Sequence, residues 1–169
     1  MPQDTKLHKE AYKGVMGGVQ EALRDDGIAV DAPGAGGRTA LQRACGVGHH
    51  TIVTFLLGAG ASPSAVDLAG RTALHWAAVA NSETCISAVL DAEGAPRVDA
   101  ATKSGNTALH MAADAGHLEA VTLLLSRGAD ATLRNSEGQT AGDGAKLNGH
   151  AQVAAALGAG GGGGGCIIL

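Results

Sequence analysis

The sequence predicts an all-α solenoid, in which helix-turn-helix units stack side by side instead of surrounding one central core. A four-residue phrase follows a glycine at four places: RTAL at 38–41, RTAL at 71–74, NTAL at 106–109 and QTAG at 139–142. Its threonines are 33, 35 and 33 residues apart, and a period of that length indicates stacked repeats. Aromatic residues make up only 2% of the chain and glycine contributes 27 of its 169 residues, so small side chains on closely spaced backbones must form the core.

Each unit is predicted to contain two short helices joined by a tight turn, and the third unit, residues 104–133, gives the clearest pattern. Gly105 permits a turn, and Thr107 is a good N-cap for a first helix. Apolar residues on one face of that helix are Leu109, Ala112 and Ala113. After the Gly116-His117 turn, a second helix has apolar residues at Leu118, Val121, Leu124 and Leu125. Gly128 then closes the second helix.

These units resemble ankyrin repeats, whose usual phrase is G-x-T-P-L-H-x-A-A, followed by G-H and a V-x-x-L-L-x-x-G-A stretch. The first unit has GRTALQRACGVGHHTIVTFLLGAGA at 37–61, and the second has GRTALHWAAVANSETCISAVL at 70–90 with two extra residues near 93–97. Alanine replaces the frequent proline in every copy. The resemblance covers residues 37 to about 157. It implies an ankyrin-repeat solenoid whose helix pairs are joined by short β-hairpin-like loops.

The two ends of the solenoid depart from the pattern, as terminal repeats do. Gly27 precedes Thr39 by the same 12 residues that separate Gly128 from Thr140, so residues 5–26 are predicted to form a degenerate helix pair that caps the stack.

In the fourth unit, Gly142 replaces the buried leucine and Asp143 replaces the histidine of the phrase. Gly142, Gly144 and Gly149 each weaken a helix by roughly 1 kcal/mol relative to alanine. We expect this unit to be the least stable.

Histidine and cysteine are interpreted as structural. Five of the seven histidines occupy template positions: His75 and His110 in the phrase, and His49, His117 and His150 in the Gly-His turn. They recur about one repeat apart and so do not converge on a metal ion. The resemblance implies that they hydrogen-bond to the backbone and to the local threonine. Cys45 and Cys85 fit as small buried residues.

Composition and motifs also argue against several classes of function. The net charge of −4 leaves no basic footprint for nucleic acid, and no phosphate-binding loop motif occurs, so we expect no cofactor. The sequence implies neither a Cys–His arrangement nor a cluster of titratable residues, so we expect that the protein is not an enzyme. The N-terminus lacks the apolar stretch of a secretory signal, and three widely spaced cysteines fit a reducing cytosol.

The family resemblance implies that a protein partner binds in the groove formed by the hairpins and first helices. The matching positions are Arg38, Arg43, Arg71, Trp76, Val79, Lys103, Asn106, Met111 and Asp114. Trp76 is the most informative of these, because tryptophan is enriched at interface hot spots. The alternative is that Trp76 is partly buried against Met111 or Arg43.

The C-terminal segment carries a second signal. Residues 158–165 contain only glycine and alanine, a composition typical of a flexible linker. Cys166-Ile167-Ile168-Leu169 matches the C-a-a-X prenylation signal, in which a final leucine favours geranylgeranyl transfer to Cys166. One lipid gives only reversible membrane binding, and neither a polybasic segment nor a second cysteine lies near Cys166.

The sequence therefore divides into four segments: a capping partial repeat at 1–36, four repeat units at 37–157, a linker at 158–165 and the prenylation motif at 166–169. The favoured interpretation is a non-enzymatic adaptor that is cytoplasmic and partly associated with the cytoplasmic face of membranes. Its further partners would be a protein prenyltransferase, a prenyl-binding carrier and, weakly, membrane lipid. The alternative is a soluble stoichiometric inhibitor or assembly factor with an unmodified tail.

Overall fold

The computed structural model describes residues 2–160 and is built from five helix pairs. In chain order the pairs are α1 (Lys6–Lys13) with α2 (Met16–Arg24), α3 (Ala40–Cys45) with α4 (His50–Gly58), α5 (Ala73–Val79) with α6 (Glu83–Leu90), α7 (Ala108–Asp114) with α8 (Leu118–Ser126), and α9 (Ala141–Leu147) with α10 (Ala151–Gly160). A short 3-10 helix spans Ala35–Gly37. Within the described residues, the only β pairing is an isolated antiparallel bridge between Ala101 and Thr107. The predicted all-α solenoid is confirmed.

The repeated threonines start the first helix of each unit in one common backbone conformation. Their φ angles lie between −88° and −82° and their ψ angles between 164° and 174° for Thr39, Thr72, Thr107 and Thr140. Each threonine forms a capping box with the third helical residue, here called the N3 residue. The same phrase therefore builds the same local structure four times.

A tight turn with a residue in the left-handed region separates the two helices of each unit. Gly48, Gly116 and Gly149 adopt φ angles of 76°, 77° and 79° there, a region that glycine enters without a steric penalty. In the second unit Asn81 takes this position at a φ of 51°. Its side chain accepts a hydrogen bond from the Ala120 N–H at 3.2 Å and donates to Glu119 at 3.1 Å. These two bonds hold the non-glycine turn in place.

The helices stack in two rows, with small residues where the backbones approach each other. First helices α1, α3, α5, α7 and α9 contact their neighbours in order, and α4, α6, α8 and α10 form the second row. Fully buried alanines line the first row, including Ala44, Ala77 and Ala112. One large aliphatic residue per unit fills the space between the rows, such as Leu41, Leu74 and Leu109. The core is therefore a continuous strip, as stacked repeats require.

A recurring side-chain hydrogen bond joins each of the first four helix pairs to the next. The Nε2 atom of the N3 residue lies close to the backbone carbonyl that precedes the next threonine. These pairs are His8 with Arg38 O at 2.9 Å, Gln42 with Arg71 O at 3.0 Å, His75 with Asn106 O at 3.2 Å, and His110 with Gln139 O at 3.1 Å. The resemblance implied that His75 and His110 bond to the backbone and to the local threonine, but not that the backbone bond crosses to the next unit, and the sequence did not predict a part for His8 or Gln42.

The other end of each N3 side chain accepts the N–H of its own capping threonine. For His75 this Thr72 N–H to Nδ1 distance is 3.1 Å, and for Gln42 the Oε1 acceptor lies 3.0 Å from Thr39 N. Because Nδ1 accepts, the imidazole must be neutral with its proton on Nε2, which then donates to the next unit. Burial lowers the pKa of His75 and His8 and favours this neutral form.

The fourth unit ends this series because its N3 residue is Asp143. Its carboxylate accepts from the Thr140 N–H at 3.0 Å and from the Thr140 hydroxyl at 2.8 Å. An ionised carboxylate has no proton to donate onward. Asp143 therefore caps its own helix without bridging to a further unit.

The fourth unit accommodates its glycines by repacking. Leu157, only 4% exposed, packs against Gly142, where a leucine would stand in a full repeat. A side chain at Gly144 would meet the carboxylate of Asp114. These contacts fill part of the missing volume, although the helix α9 still contains two interior glycines.

The boundary of the predicted linker needs a correction. Helix α10 continues to Gly160, so residues 158–160 are helical and not part of a coil. The alanine-rich residues 151–157 begin this helix. Once it has formed, it can extend at little cost in free energy, because each added residue gains a backbone hydrogen bond. Residues 161–169, including the rest of the linker and Cys166, lie outside the described residues, as does Met1. No helix in the described chain is long and apolar enough to cross a membrane.

We expect backbone amides in 140–157 to exchange hydrogen faster than those in 107–125. The fourth unit has only one neighbour and carries glycine in α9, so it should open locally at a lower free energy. Native-state hydrogen exchange read by NMR or mass spectrometry measures this. Equal or greater protection in the fourth unit would show that Leu157 and Asp114 compensate fully for the glycines.

Acidification should destabilise the fold through the buried histidines His8 and His75. Because the pKa of His75 is lowered on folding, the unfolded state takes up protons first, and stability declines as the pH falls below about 6.5. His75→Gln should retain both hydrogen bonds, as Gln42 does naturally, and lose less stability between about pH 7.5 and about pH 5. Urea unfolding at both pH values tests this. The exposed His50→Gln variant is the control, and an unchanged pH dependence in His75→Gln would contradict the assignment.

Candidate protein-binding groove

A row of linked hairpin loops forms one wall of the groove. Each loop is closed by a backbone bond to the carbonyl before the threonine, from Gly34, Asp67, Thr102 and Asn135, with N to O distances of 2.8, 3.0, 2.9 and 2.9 Å. Neighbouring loops are also bonded to each other, from Leu68 N to Gly36 O, Lys103 N to Ala69 O, and Ser136 N to Ser104 O. The loops therefore form a rigid surface with their first helices.

Trp76 lies at the centre of the first half of this groove, on helix α5. The guanidinium carbons of Arg38 and Arg71 both lie over its ring, each 4.2 Å from the centroid. Cation–π contacts of this kind favour arginine over an indole. The residue is half-buried, and its Nε1 atom is buried without a hydrogen-bond partner. Partial burial against Met111 or Arg43 was one of the two interpretations of Trp76 from the sequence. The arginines over its ring are instead Arg38 and Arg71, one from each adjoining loop.

The three arginines of this region differ in their counter-ions. Arg43 pairs with Asp4 at 2.8 Å, which ties the N-terminal cap to the first repeat. Arg71 pairs with Asp67 at 2.8 Å, and Asp67 also accepts the N–H groups of Ala69 and Arg71. Arg38 forms no ion pair within residues 2–158. Burial lowers the pKa of the Arg38 guanidinium, and the positive charges of Arg43 and Arg71 lower it further.

The missing carboxylate at Arg38 has a clear origin in the sequence. Asp67 stands four residues before Arg71, and the position four residues before Arg38 is Gly34. A Cβ atom at Gly34 would lie 2.5 Å from the Asp4 carboxylate and 2.7 Å from the His8 ring. The close packing of the cap thus excludes the acidic side chain that the second unit has.

The second half of the groove contains a pocket between the second and third units. Its volume is about 440 Å³, and its lining includes Arg71, Asn106, Met111 and Asp114 with the small residues Ala69 and Ala115. Four predicted groove residues therefore surround one depression. It adjoins the Trp76 cluster because both share Arg71.

The remaining predicted groove residues have partly structural roles. Lys103 is exposed at a loop tip. Val79 is half-buried at the end of α5, and its carbonyl accepts from His117 at 2.9 Å. The side chain of Asn106 accepts from Asn135 at 2.9 Å. The side chain of Arg43 is 15% exposed and that of Arg71 26%, so Arg38, Arg71 and Trp76 form the more accessible cluster.

Sequence reasoning missed the counter-ions Asp4 and Asp67 and the exposed apolar loop residues Val66 and Leu68, each 58% exposed. Comparison of the loops in register would have found Asp67, because it alone among the four equivalent loop positions is acidic. Nothing in the sequence pattern indicates that Asp4 reaches Arg43, since 39 residues separate them.

The histidines of the Gly-His turns bond to the backbone, as the resemblance implied. His49, His117 and His150 approach the carbonyls of Tyr12, Val79 and Asp114 at 3.1, 2.9 and 3.1 Å. In the described part of the chain, no group of three or more metal-binding side chains is close enough to hold an ion. Burial raises the pKa of the Cys45 and Cys85 thiols, which keeps both protonated.

Comparison with known families agrees with this geometry. A model described as "Ankyrin repeats (3 copies)" matches residues 61–135, and one described as "Ankyrin repeat" matches residues 36–68. Together the two matches cover more than half of the chain. The chain belongs to the ankyrin repeat family.

Three relatives illustrate the range of ankyrin proteins that this chain is similar to. The mouse B-cell lymphoma 3 protein homolog is 47% identical over 81 residues, covering 47% of this chain and 18% of the relative. The human B-cell lymphoma 3 protein is 37% identical over 132 residues, covering 75% of this chain and 29% of the relative. The tyrosine-protein kinase HTK16 of Hydra vulgaris is 34% identical over 142 residues, covering 83% of this chain and 19% of the relative. The chain thus spans less than a third of each relative.

Proposed function

We propose that this protein is a non-enzymatic adaptor whose concave groove binds a protein partner. Ankyrin repeats imply protein–protein interaction, and the observation that carries the proposal here is the cluster of Arg38, Trp76 and Arg71. Tryptophan and arginine are the residues most enriched at interface hot spots. The cross-bonded loops hold this cluster in place, so little entropy is lost when a partner binds.

We further propose that geranylgeranylation of Cys166 brings the adaptor to a membrane. The support is the CIIL sequence after a glycine-rich segment, which presents a thiol, two aliphatic residues and a terminal leucine to a protein prenyltransferase. No basic residue lies between Lys146 and Cys166, so the lipid acts without electrostatic help. The protein would then exchange between the cytoplasm and the cytoplasmic face of a membrane, with a prenyl-binding carrier as a further partner.

A soluble stoichiometric inhibitor or assembly factor is the alternative function. It would use the same groove and leave the CIIL tail unmodified. Membrane fractionation separates the two functions, because only the lipid-bearing adaptor has a membrane pool.

Partner capture should depend on the Trp76 cluster. Trp76→Ala combined with Arg71→Glu should lower partner recovery at least about thirtyfold, since hot-spot losses exceed roughly 2 kcal/mol. Affinity capture from cells with quantitative mass spectrometry measures the recovery, and circular dichroism checks that helix content is unchanged. Arg127→Glu is the control, because Arg127 pairs with Asp91 outside this cluster. Recovery of the same partners by the double variant would place the interface on another face.

The lipid should be detectable as a mass increase that depends on Cys166. In a eukaryotic host with active transferase, the wild-type chain should carry a geranylgeranyl group and appear partly in membranes, largely independently of salt. Cys166→Ser should keep the fold and move the protein wholly to the soluble fraction. An unmodified wild-type mass, or a membrane pool that persists in Cys166→Ser, would overturn the lipid anchor and leave the adaptor proposal standing.

A further inference from the structure

We propose that the groove receives an extended acidic segment of its partner, with an aspartate or glutamate carboxylate bound to Arg38. This inference rests on the proposed function, because it names the chemistry of a protein partner in the same groove. Three observations support it: the unpaired charge of Arg38, the way Trp76 holds that charge, and the distribution of charge along the groove.

Arg38 is a half-buried cation with an unmet need for an anion. Its Nε atom, like that of Arg43, is buried without a hydrogen-bond partner, and unlike Arg43 and Arg71 it forms no ion pair within residues 2–158. Asp4 and Asp67 favour its charged form from a distance, but each carboxylate is bonded to another arginine. A partly desolvated guanidinium without an acceptor is unfavourable, and a carboxylate supplied in complex relieves this.

The contact with Trp76 prepares Arg38 for this role. The guanidinium lies over the indole ring through its carbon atom, at 4.2 Å from the centroid. A cation–π contact does not use up the N–H donors of the guanidinium, so its Nη groups can still donate to a carboxylate. Because the ring restricts the side chain before binding, less rotamer entropy is lost when the pair forms.

Charge along the groove gives the segment a direction. Arg38 and Arg71 place positive charge in the loops of the first and second units, and Lys103 lies in the loop of the third; within residues 2–158 only Arg71 of the three has a carboxylate partner. Asp114 is an exposed residue of the adjoining pocket, so a second acidic residue there would be repelled. In that pocket Met111, Ala69 and Ala115 offer an apolar surface to an apolar side chain, beside the polar Arg71, Thr102, Ser104, Asn106 and Asp114.

The spacing of the two subsites predicts a sequence pattern in the partner. Adjacent helices pack roughly 10 Å apart. Arg38 belongs to the first unit and the pocket lies between the second and third units, so the two subsites are between one and two repeats apart, or about 10 to 20 Å. An extended chain advances about 3.3 Å per residue, so this distance corresponds to about three to six residues. The bound segment should therefore carry an acidic residue and an apolar residue separated by about three to six positions.

Selection from a random twelve-residue peptide library displayed on phage, with the full chain as bait, tests this. Enriched peptides should contain the acidic and apolar pair. Replacing the peptide acid with its amide should weaken binding about tenfold to a hundredfold, as loss of a charge-assisted hydrogen bond does. Arg38→Gln should weaken it by the same factor, and combining both changes should add little. Arg97→Gln, which removes an exposed arginine from the loop after α6, should leave binding unchanged.

Several outcomes would overturn the inference. Enrichment of neutral or basic peptides, equal affinity of acidic peptides for the wild type and Arg38→Gln, or no peptide sensitive to Arg38 would each do so. If Arg38→Gln fails to fold, the acid-to-amide change in the peptide still tests the proposal, because its effect on affinity is measured with the wild-type chain. Neutral peptides that bind through Trp76 would reject the acidic segment and retain the adaptor, whereas cellular capture insensitive to the Trp76 cluster would reject both.

Discussion

The bridge made by each N3 side chain is the interaction on which the rest of the structure depends. One end of His75, for example, accepts the N–H of Thr72 and fixes the start of its own helix, while the other end reaches Asn106 O in the next unit. The same side chain thus both caps a helix and connects two units. Because a neutral imidazole or an amide is required, the residues that can serve are few, and the chain uses three histidines and one glutamine.

The groove follows from these bridges because they bind the loop of one unit to the helix of the previous one. Arg38 and Arg71 belong to successive loops, and the ring of Trp76 contacts both. A small rotation between units would separate them. The arginines also repel one another; Arg43 and Arg71 are each bonded to a carboxylate, whereas Asp4 and Asp67 act on Arg38 only from a distance, without an ion pair. Functional sites often carry such locally unfavourable features, which the surrounding structure supports.

The sequence was sufficient to predict the solenoid, the helix-pair units and the roles of the template histidines, because repetition averages out the ambiguity of any single short helix. The resemblance implied a set of groove positions, and four of them surround the pocket between the second and third units. The sequence did not reveal that Gln42 substitutes for histidine, since the two side chains share only the geometry of their donors and acceptors. Nor did it reveal which arginine lacks a counter-ion, because that depends on Asp4 reaching across 39 residues and on the crowding at Gly34. The end of α10 was misplaced because composition alone does not fix where a helix frays.

Asp143 gives the array a direction of growth. Every earlier unit presents a donor to its successor, whereas this one presents a carboxylate, so a further unit joined after the fourth would meet an acceptor facing its own carbonyl. Duplication of an internal unit upstream of Asp143 would preserve the pairing of donors with acceptors throughout. Lengthening at the end would first require a histidine or glutamine in place of the acid. The side chain of Asp143 therefore makes this array compatible with duplication of an internal unit and incompatible with direct addition of a unit after the fourth.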